Sequence, residues 1–332
     1  MKSISLILMT LLGIVHCLPK RNPPFTNFPP PPSKEGTVRD LQVFQLGTWV
    51  ENLYVRPNGQ ILATIYTPFS GVYETHKSSK QATLAAIIPG IANVLGIAEG
   101  RTPETVYVIG EDFPVTTLKG VKGSNSIYQV DLREFDTSGG LQRADVKIAL
   151  KVPNGTALNG LAPVNAAKGL YVSTDFDAGS IYLLNIVTGE TSVIISNEWT
   201  AHLPGSAGGA DGIKVRDGYI YWTSFSANVF ARVPIDEAGM PTGAPEKLAD
   251  VFSDDFCFGW SDEVHLTMPE QSAIGVWRPG QQSVQPLPGR VSGPTAVQLG
   301  VDGRSLIVTT SGNDTQYPNN ITRPGKVVEI RL

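Results

Sequence analysis

Four oxygen-bearing side chains hold the same place in a motif that recurs along the chain: Glu51, Asn159, Asp211 and Asp254. Each is the first residue of its copy of the motif, and Leu95 and Thr295 fill that place in the two remaining copies. Three of these six residues are potential anions, in a chain in which only 17% of residues are charged. If the copies converge in space, Glu51, Asp211 and Asp254 are predicted to be catalytic acids or bases.

Carboxylates that gather in a narrow space need compensation, because each one raises the pKa of its neighbours. A shared proton would compensate them, and so would a hard divalent cation such as Ca²⁺, which binds carboxylate and amide oxygens. The predicted ligands of such a cation, completed by water, are Glu51, Asn159, Asp211 and Asp254. The same side chains could instead cap strand ends through hydrogen bonds to the backbone.

Residues near these positions are candidates for the walls of a ligand site. Trp49 and Phe256 each lie two residues from a carboxylate, where an aromatic ring can hold an organic ligand or pack between sheets. Asn159, Thr295 and Thr310 are further candidate substrate-binding residues. Thr310 also belongs to a set of hydroxyl residues at equivalent second-strand positions, where threonine favours strand stabilisation. The set is Thr223, Thr267, Thr309 and Thr310.

The elements that must position these residues are six repeats. Each repeat has a short apolar strand, a turn and a second strand rich in β-branched and aromatic residues, and the starts are 44, 64, 52, 43 and 41 residues apart. This is the length of a four-stranded sheet with its loops. The chain is therefore predicted to be all-β, a six-bladed β-propeller with four-stranded antiparallel blades. The innermost strands of such blades line one central channel.

Three details of the fold follow from the repeats. The turns Asn58-Gly59, Asp217-Gly218 and Asp302-Gly303 predict type I′ hairpins. The C-terminal segment GKVVEIRL is expected to pair with a sheet begun by the N-terminal part of the chain, which would close the ring and cover its edge. The long spacing after the second start indicates a loop inserted between about Glu111 and Asn125.

Composition excludes one class of partner. The formal net charge of the 332 residues is −4, so no basic field attracts phosphate backbones and nucleic acid is not expected to bind. The 34 glycines and 25 prolines fit a fold of many short strands and tight turns. The expected partners are small-molecule substrates, and the expected state is a monomer or a small homo-oligomer.

The N-terminal region divides into two predicted segments before the propeller at 41–332. Residues 1–17 have Lys2 followed by an apolar run, and this pattern predicts a secretory signal peptide, with a buried strand as the alternative. The run is too short to span a membrane. Residues 18–40 form a proline-rich arm. The protein is therefore expected to be secreted or to enter the secretory pathway.

Two further features fit that compartment. Glycosylation sequons lie at Asn154, Asn313 and Asn320. Once the leader is removed, Cys257 is the only cysteine, so the mature chain cannot form an internal disulfide. The fold must be stabilised by its core.

From about Val43 to Leu332, the chain resembles the propellers of the gluconolactonase, regucalcin and diisopropylfluorophosphatase families. The segments that carry the resemblance are WVENLYV with Glu51, LNGL with Asn159, ADGIKV with Asp211 and DDFCF with Asp254. Those families hold a divalent cation with one Glu, two Asn and one Asp, so the resemblance implies a metal-dependent lactonase or esterase. Asp211 departs from the pattern, because a carboxylate replaces an amide and changes the charge of the site by one unit.

A closer resemblance is to a secreted fungal branch of this superfamily. It rests on the opening WVENLYVRPNGQIL, the DGIK strand, the DDF strand and the SGPTAVQ and VTTSG segments near the end. Members of that branch in secondary-metabolite pathways resemble hetero-Diels-Alderases, which join a quinone methide to the alkene of a macrocyclic terpene such as humulene. The resemblance implies a cyclase for a polyketide-derived tropolone or phenol and a terpene, with no cofactor required. A non-catalytic ligand-binding propeller is a third reading, because function belongs to the site and not to the fold.

Overall fold

The computed structural model of the protein describes residues 36–78, 81–117, 119–135, 143–313 and 323–332. The predicted signal peptide and most of the predicted arm lie outside these ranges. Strand β1 begins at Val38, so the last three residues assigned to the arm belong to the propeller. None of the helices in the described ranges is both long and apolar enough to cross a membrane.

Within these ranges, twenty-four strands form six antiparallel sheets of four strands each, which confirms the predicted fold class. The strands of blades 1 to 3, in order, are β2 (Trp49–Val55), β3 (Gln60–Thr67), β4 (Gly71–His76) and β5 (Thr83–Ile87); β6 (Asn93–Glu99), β7 (Thr105–Glu111), β8 (Ser126–Asp131) and β9 (Asp145–Lys151); and β10 (Leu158–Asn165), β11 (Leu170–Asp175), β12 (Ser180–Asn185) and β13 (Thr191–Ile195). The strands of blades 4 to 6 are β14 (Ala210–Arg216), β15 (Tyr219–Ser224), β16 (Val229–Pro234) and β17 (Glu246–Asp250); β18 (Phe256–Phe258), β19 (Val264–Met268), β20 (Ala273–Trp277) and β21 (Gln285–Pro286); and β22 (Pro294–Leu299), β23 (Ser305–Thr310), β24 (Pro324–Arg331) and β1 (Val38–Leu46).

The first strand of each blade contacts the first strands of both neighbouring blades, so the six inner strands form a closed ring around a channel. The ring is closed by both ends of the chain, because β24 pairs with β1 in the sixth blade. This pairing confirms the predicted role of the C-terminal strand. The predicted insertion is also present, as the loop of residues 112–125 between β7 and β8.

The turn predictions are confirmed at one position and wrong at two. Asp217 and Gly218 both have positive φ, 50° and 77°, as a type I′ turn requires. In the other two turns only the glycine has a positive φ, 83° at Gly59 and 63° at Gly303. The reason is loop length: β14 and β15 are joined by two residues, whereas the other two hairpins have longer connections that use glycine once.

A β-bulge interrupts the inner strand of five blades at the same place. The register shifts lie between Val50 and Leu53, Val94 and Ile97, Leu158 and Leu161, Ala210 and Ile213, and Pro294 and Val297. The predicted channel residue of each blade is the first residue inside its bulge. In the fifth blade, Asp254 precedes the short strand β18. The bulge frees these residues from regular pairing, which re-aims their side chains.

In five of the six blades, a threonine hydroxyl of the second strand links the inner strand of its own blade to the inner strand of the next. In blade 4, the Thr223 hydroxyl accepts a hydrogen bond from the Gly212 amide at 3.0 Å and donates one to the Asp254 carbonyl at 2.6 Å. The same relay is made by Thr64 to the Leu95 carbonyl, Thr174 to Asp211, Thr267 to Thr295 and Thr309 to Glu51. Ile109 takes the equivalent position in blade 2. The predicted stabilising role of Thr223, Thr267 and Thr309 is therefore confirmed.

Glycine at the second bulge position allows the blades to approach closely. A Cβ atom on Gly96 would lie 2.3 Å from the Asn159 carbonyl oxygen, and one on Gly160 would lie 2.6 Å from that of Asp211. At Gly212 it would lie 2.7 Å from the Asp254 oxygen. Any larger residue would push the neighbouring inner strand away.

Replacing Thr223 by valine is expected to lower the free energy of unfolding by about 1 to 3 kcal/mol, because it leaves a buried amide and a buried carbonyl without this partner. Chemical denaturation measures the loss. The matched control is Thr75→Val, since the Thr75 hydroxyl is also buried but has no hydrogen-bond partner among the described residues. The control is expected to change stability by less than about 0.5 kcal/mol. Equal effects of the two substitutions would contradict the relay.

Candidate functional site

A cavity opens at the end of the channel where the inner strands begin, and it encloses about 680 Å³ including its mouth. All six predicted channel residues line it: Glu51, Leu95, Asn159, Asp211, Asp254 and Thr295. The sequence prediction that side chains from different blades meet around one axis is therefore confirmed in its geometry.

Glu51 is the best-anchored acid of the cavity. Its Oε2 accepts a hydrogen bond from the Trp49 indole nitrogen at 2.5 Å, and 6% of the residue is exposed. Burial raises the pKa of Glu51 to about 7, with a further contribution from the charge of Asp255, while hydrogen bonds from Trp49 and Asn159 lower it. Near neutral pH, Glu51 therefore exists in both protonation states.

Asp211 and Asp254 complete the acid cluster. Burial raises the pKa of both well above the ordinary range, and the charges of Glu51 and Asp255 add to the effect. The charge of Asp211 raises the pKa of Asp254 further. One carboxyl oxygen of Asp211, Oδ1, is buried with no hydrogen-bond partner in the described ranges. A protonated carboxyl group suits this place better than a carboxylate, since a buried unpaired charge is costly.

A fourth acid lies beside the cluster but has its own cation. Asp255 is buried, and its Oδ1 accepts from the Lys214 ammonium at 2.5 Å. Within the described ranges, no salt bridge reaches Glu51, Asp211 or Asp254. The charge of Lys214 lowers the pKa of Asp211 and Asp254, but burial outweighs this effect and keeps both pKa values raised. Protons therefore compensate much of the charge of the cluster, and Glu51 can donate and accept a proton near neutral pH.

The predicted cation site at Glu51, Asn159, Asp211 and Asp254 stays a prediction. In the part of the chain that the structure describes, no three His, Cys, Asp or Glu side chains are grouped so that they could hold a metal ion. The four proposed ligands all line one cavity, and one of them, Asn159, is an amide and so is not a member of such a group. The raised pKa values of the three acids favour a shared proton as their charge compensation.

Aromatic rings line one side of the cavity in an unbroken row across blades 1 to 4. Successive ring centroids are 5.4, 5.9, 6.1 and 5.3 Å apart along Trp49, Tyr66, Phe113, Phe176 and Phe225. Such edge-to-face contacts stabilise a rigid apolar wall. The opposite side, from blades 5 and 6, carries Pro269, Gly293, Pro294, Thr295, Ser311 and Asn313.

Most of the other residues that line the cavity also hold a regular place in the repeat, which the sequence analysis did not use. Tyr66, Phe176, Phe225, Pro269 and Ser311 each stand two residues after the relay threonine of their blade. Side chains two residues apart on a strand point the same way, so that position can be read from the repeat. Phe113 has no such signal, because it lies in the inserted loop.

Two predicted substrate-binding residues do not line the cavity. Phe256 is fully buried, with its ring centroid 4.9 Å from that of Phe230, because it fills the core between blades 4 and 5. Thr310 lies one residue before Ser311 and so points away from the channel, and its hydroxyl accepts from the Lys326 amide at 2.9 Å. Trp49, Asn159 and Thr295 lie on the cavity as expected.

The predicted sequons occupy different environments. Asn154 is exposed and could accept a glycan. Asn313 is 3% exposed and lines the cavity, a position at odds with glycosylation, because the acceptor side chain must reach the surface. Asn320 lies outside the described residues.

Comparisons with known proteins support the resemblance predicted from the motifs. No protein-family profile matches the chain. The chain is similar to a candidate hetero-Diels-Alderase of Phoma sp, with 25% identity over 330 residues, 89% of this chain and 90% of the relative. It is also similar to one of Sarocladium schorii, with 24% identity over 316 residues, 83% of this chain and 78% of the relative.

Solved structures share the fold. A luciferin-regenerating enzyme matches with a TM-score of 0.65 and 14% identity, covering 90% of this chain and 95% of its own. Regucalcin of Agrobacterium tumefaciens, described as a calcium-binding protein, matches with a TM-score of 0.59 and 15% identity, covering 89% of this chain and 95% of its own. At this level of identity, the likeness extends to the propeller architecture alone.

The elevated pKa of Glu51 predicts how stability depends on pH. A carboxyl whose folded pKa is raised stabilises the fold below its unfolded pKa, near 4.5, and loses that stabilisation as pH rises through about 7. The free energy of unfolding of the wild type is therefore expected to fall between pH 4 and pH 8. In Glu51→Gln this fall is expected to be smaller by about 3 kcal/mol, because the titrating carboxyl is gone. Denaturation curves across this range measure the effect.

The control for this experiment is Glu237→Gln, which removes an exposed carboxyl. Its curve is expected to follow that of the wild type. If the Glu51→Gln curve were as steep as both of these, the cluster would not hold a proton at Glu51.

Proposed function

We propose that the chain is a hetero-Diels-Alderase-like cyclase that joins a polyketide-derived quinone methide to the alkene of a terpene. The observation that carries the proposal is a group of buried acids with raised pKa values in a cavity lined by aromatic rings. The two relatives named as candidate hetero-Diels-Alderases support it. The cavity also combines apolar walls with a few convergent polar groups, which is typical of sites that bind small organic molecules.

The first chemical step is loss of water from a hydroxymethyl-substituted tropolone or phenol. A protonated carboxyl of Asp211 or Asp254 gives its proton to the departing hydroxyl group as the carbon–oxygen bond breaks. A carboxylate of the cluster then accepts the proton of the ring hydroxyl, which leaves a neutral quinone methide. One water is released, and the number of protons on the cluster is unchanged.

The second step is the cycloaddition itself. The four π electrons of the quinone methide and the two of the alkene form one carbon–carbon and one carbon–oxygen bond, with no proton transfer. Holding the two reactants in a reactive alignment can contribute about 7 to 11 kcal/mol. A protonated acid of the cluster can also donate a hydrogen bond to the quinone methide oxygen and polarise it.

The acids have different parts in this scheme. Glu51 is fixed by Trp49 and titrates near neutral pH, so it suits the role of proton acceptor and donor in turn. Asp211 and Asp254 have pKa values raised well above the ordinary range, so they suit the roles of proton donor in the dehydration and hydrogen-bond donor in the cycloaddition. No step requires a metal or a cofactor.

Asp211→Asn and Asp254→Asn are expected to lower the rate of product formation at least about 100-fold, because an amide cannot supply the proton for dehydration. The assay follows the adduct of a hydroxymethyl tropolone and humulene, and its stereochemistry, by chiral chromatography. The control Asp236→Asn removes an exposed acid and is expected to keep the wild-type rate.

Two outcomes of this assay would count against the proposal. If wild-type protein left the rate and the stereochemistry of the coupling unchanged relative to buffer, cyclisation would be rejected. If the protein instead hydrolysed a lactone or an ester and lost that activity in a chelator, the alternative would hold: a divalent-metal-dependent lactonase or esterase that binds its ion through the cavity oxygens.

A further inference from the structure

Blade 2 departs from the pattern that builds the aromatic wall. Where blades 1, 3 and 4 place Tyr66, Phe176 and Phe225, blade 2 has Glu111. Glu111 is fully buried, and its Oε2 accepts from the Leu158 amide at 2.9 Å instead of lining the cavity. The inserted loop supplies the missing ring, because Phe113 takes the gap between Tyr66 and Phe176.

Phe113 is held in this place by both of its backbone polar groups. Its amide donates to the Asn93 side-chain oxygen at 2.8 Å, and its carbonyl accepts from the Tyr66 hydroxyl at 2.7 Å. Asn93 in turn donates to the Tyr66 carbonyl at 2.8 Å. Asn93, Tyr66 and Phe113 are each at most 4% exposed. The loop therefore presents this ring in one fixed position.

The same hydrogen bonds leave an apolar surface on this part of the cavity wall. The Tyr66 hydroxyl is used by the Phe113 carbonyl, so Tyr66 offers its ring to a ligand. The channel residue of blade 2 is Leu95, at the place where three other blades carry an acid. Glu51 and Asn159 flank Leu95 from blades 1 and 3, and the remaining hydrogen-bonding groups come from blades 4 to 6, namely Asp211, Asp254, Thr295, Ser311 and Asn313.

We infer that the cavity has two subsites. The hydrocarbon reactant binds against the side chains of Leu95, Tyr66, Phe113 and Phe176. The oxygenated reactant faces the acids and Ser311. This inference rests on the proposed function. Burial against apolar side chains stabilises a bound hydrocarbon, whereas displacing water from carboxyl groups is unfavourable. A hydrocarbon ligand therefore favours the side of Leu95. An oxygenated ring needs the hydrogen-bond donors of the other side.

The division is tested by measuring the binding of each reactant type alone, with humulene as the hydrocarbon probe and tropolone as the oxygenated probe. Phe113→Ala is expected to weaken humulene binding about tenfold and to change tropolone binding less than twofold. Ser311→Ala is expected to show the reverse preference, with tropolone weakened several-fold and humulene unchanged. Titration calorimetry provides the dissociation constants.

Phe113→Leu serves as the second variant, because it keeps an apolar side chain if the alanine variant does not fold. It is expected to weaken humulene two- to fivefold. The inference would be overturned if humulene did not bind, if the Phe113 and Ser311 substitutions weakened both probes equally, or if the Phe113 substitutions weakened tropolone alone.

Failure of this inference can be separated from failure of the proposed function. Binding of a single probe needs no turnover, so opposite preferences of the two variants can be found even if the wild-type protein forms no adduct. In that case the subsites would stand and the cyclase proposal would fall. If the adduct formed and the two variants showed no preference, the proposal would stand without the subsites.

Discussion

The structure depends on one repeated interaction, the hydrogen bond that a second-strand threonine donates to the inner strand of the next blade. The carbonyl that accepts it belongs to the cavity residue, as when Thr309 reaches Glu51 and Thr223 reaches Asp254. The backbone of the site is therefore held by the same contacts that hold the blades together. A buried polar network of this kind is favourable only when its members are satisfied, and the bulge amides and carbonyls satisfy these hydroxyls. The precision of the site and the stability of the ring have a common origin.

The same framework places three acids on one cavity, where burial raises their pKa values. In a softer channel, the side chains could separate and take up water, and their pKa values would return towards the ordinary range. Here the aromatic row excludes water from one side, and Trp49 fixes Glu51 from the same side. The cost is borne by the fold, because burial of polar groups at a functional site lowers stability. The apolar packing between the blades, with residues such as Trp222 and Phe230 fully buried, offsets that cost.

The repeat made the architecture and the channel residues predictable, because the first residue occupies the same bulge in five blades and Asp254 takes the equivalent place before β18. The same reasoning predicted that Phe256 lines the ligand site, which was wrong, because on the short strand β18 its ring packs in the core between blades 4 and 5. The prediction for Thr310 was wrong by one position, because Ser311 lines the cavity and adjacent residues of a strand face opposite sides of the sheet. Phe113 could not be predicted, because its position depends on contacts from Asn93 and Tyr66 that are distant in sequence. Regular positions follow from the repeat, whereas loop residues follow from tertiary contacts.

The sixth blade has a consequence for how the site is made. Its outer strand, β1, comes from the beginning of the described chain and its other three strands from the end, so this sheet cannot form until nearly all of the chain has been synthesised. Thr295 and Ser311 belong to that blade, and Thr309 connects it to Glu51. During translation the earlier blades can collapse as a curved, open array, but the ligand cavity has no wall on one side until the two ends meet. Binding competence therefore arises in a single late event, and a chain that stalls before that event would display its acids to solvent.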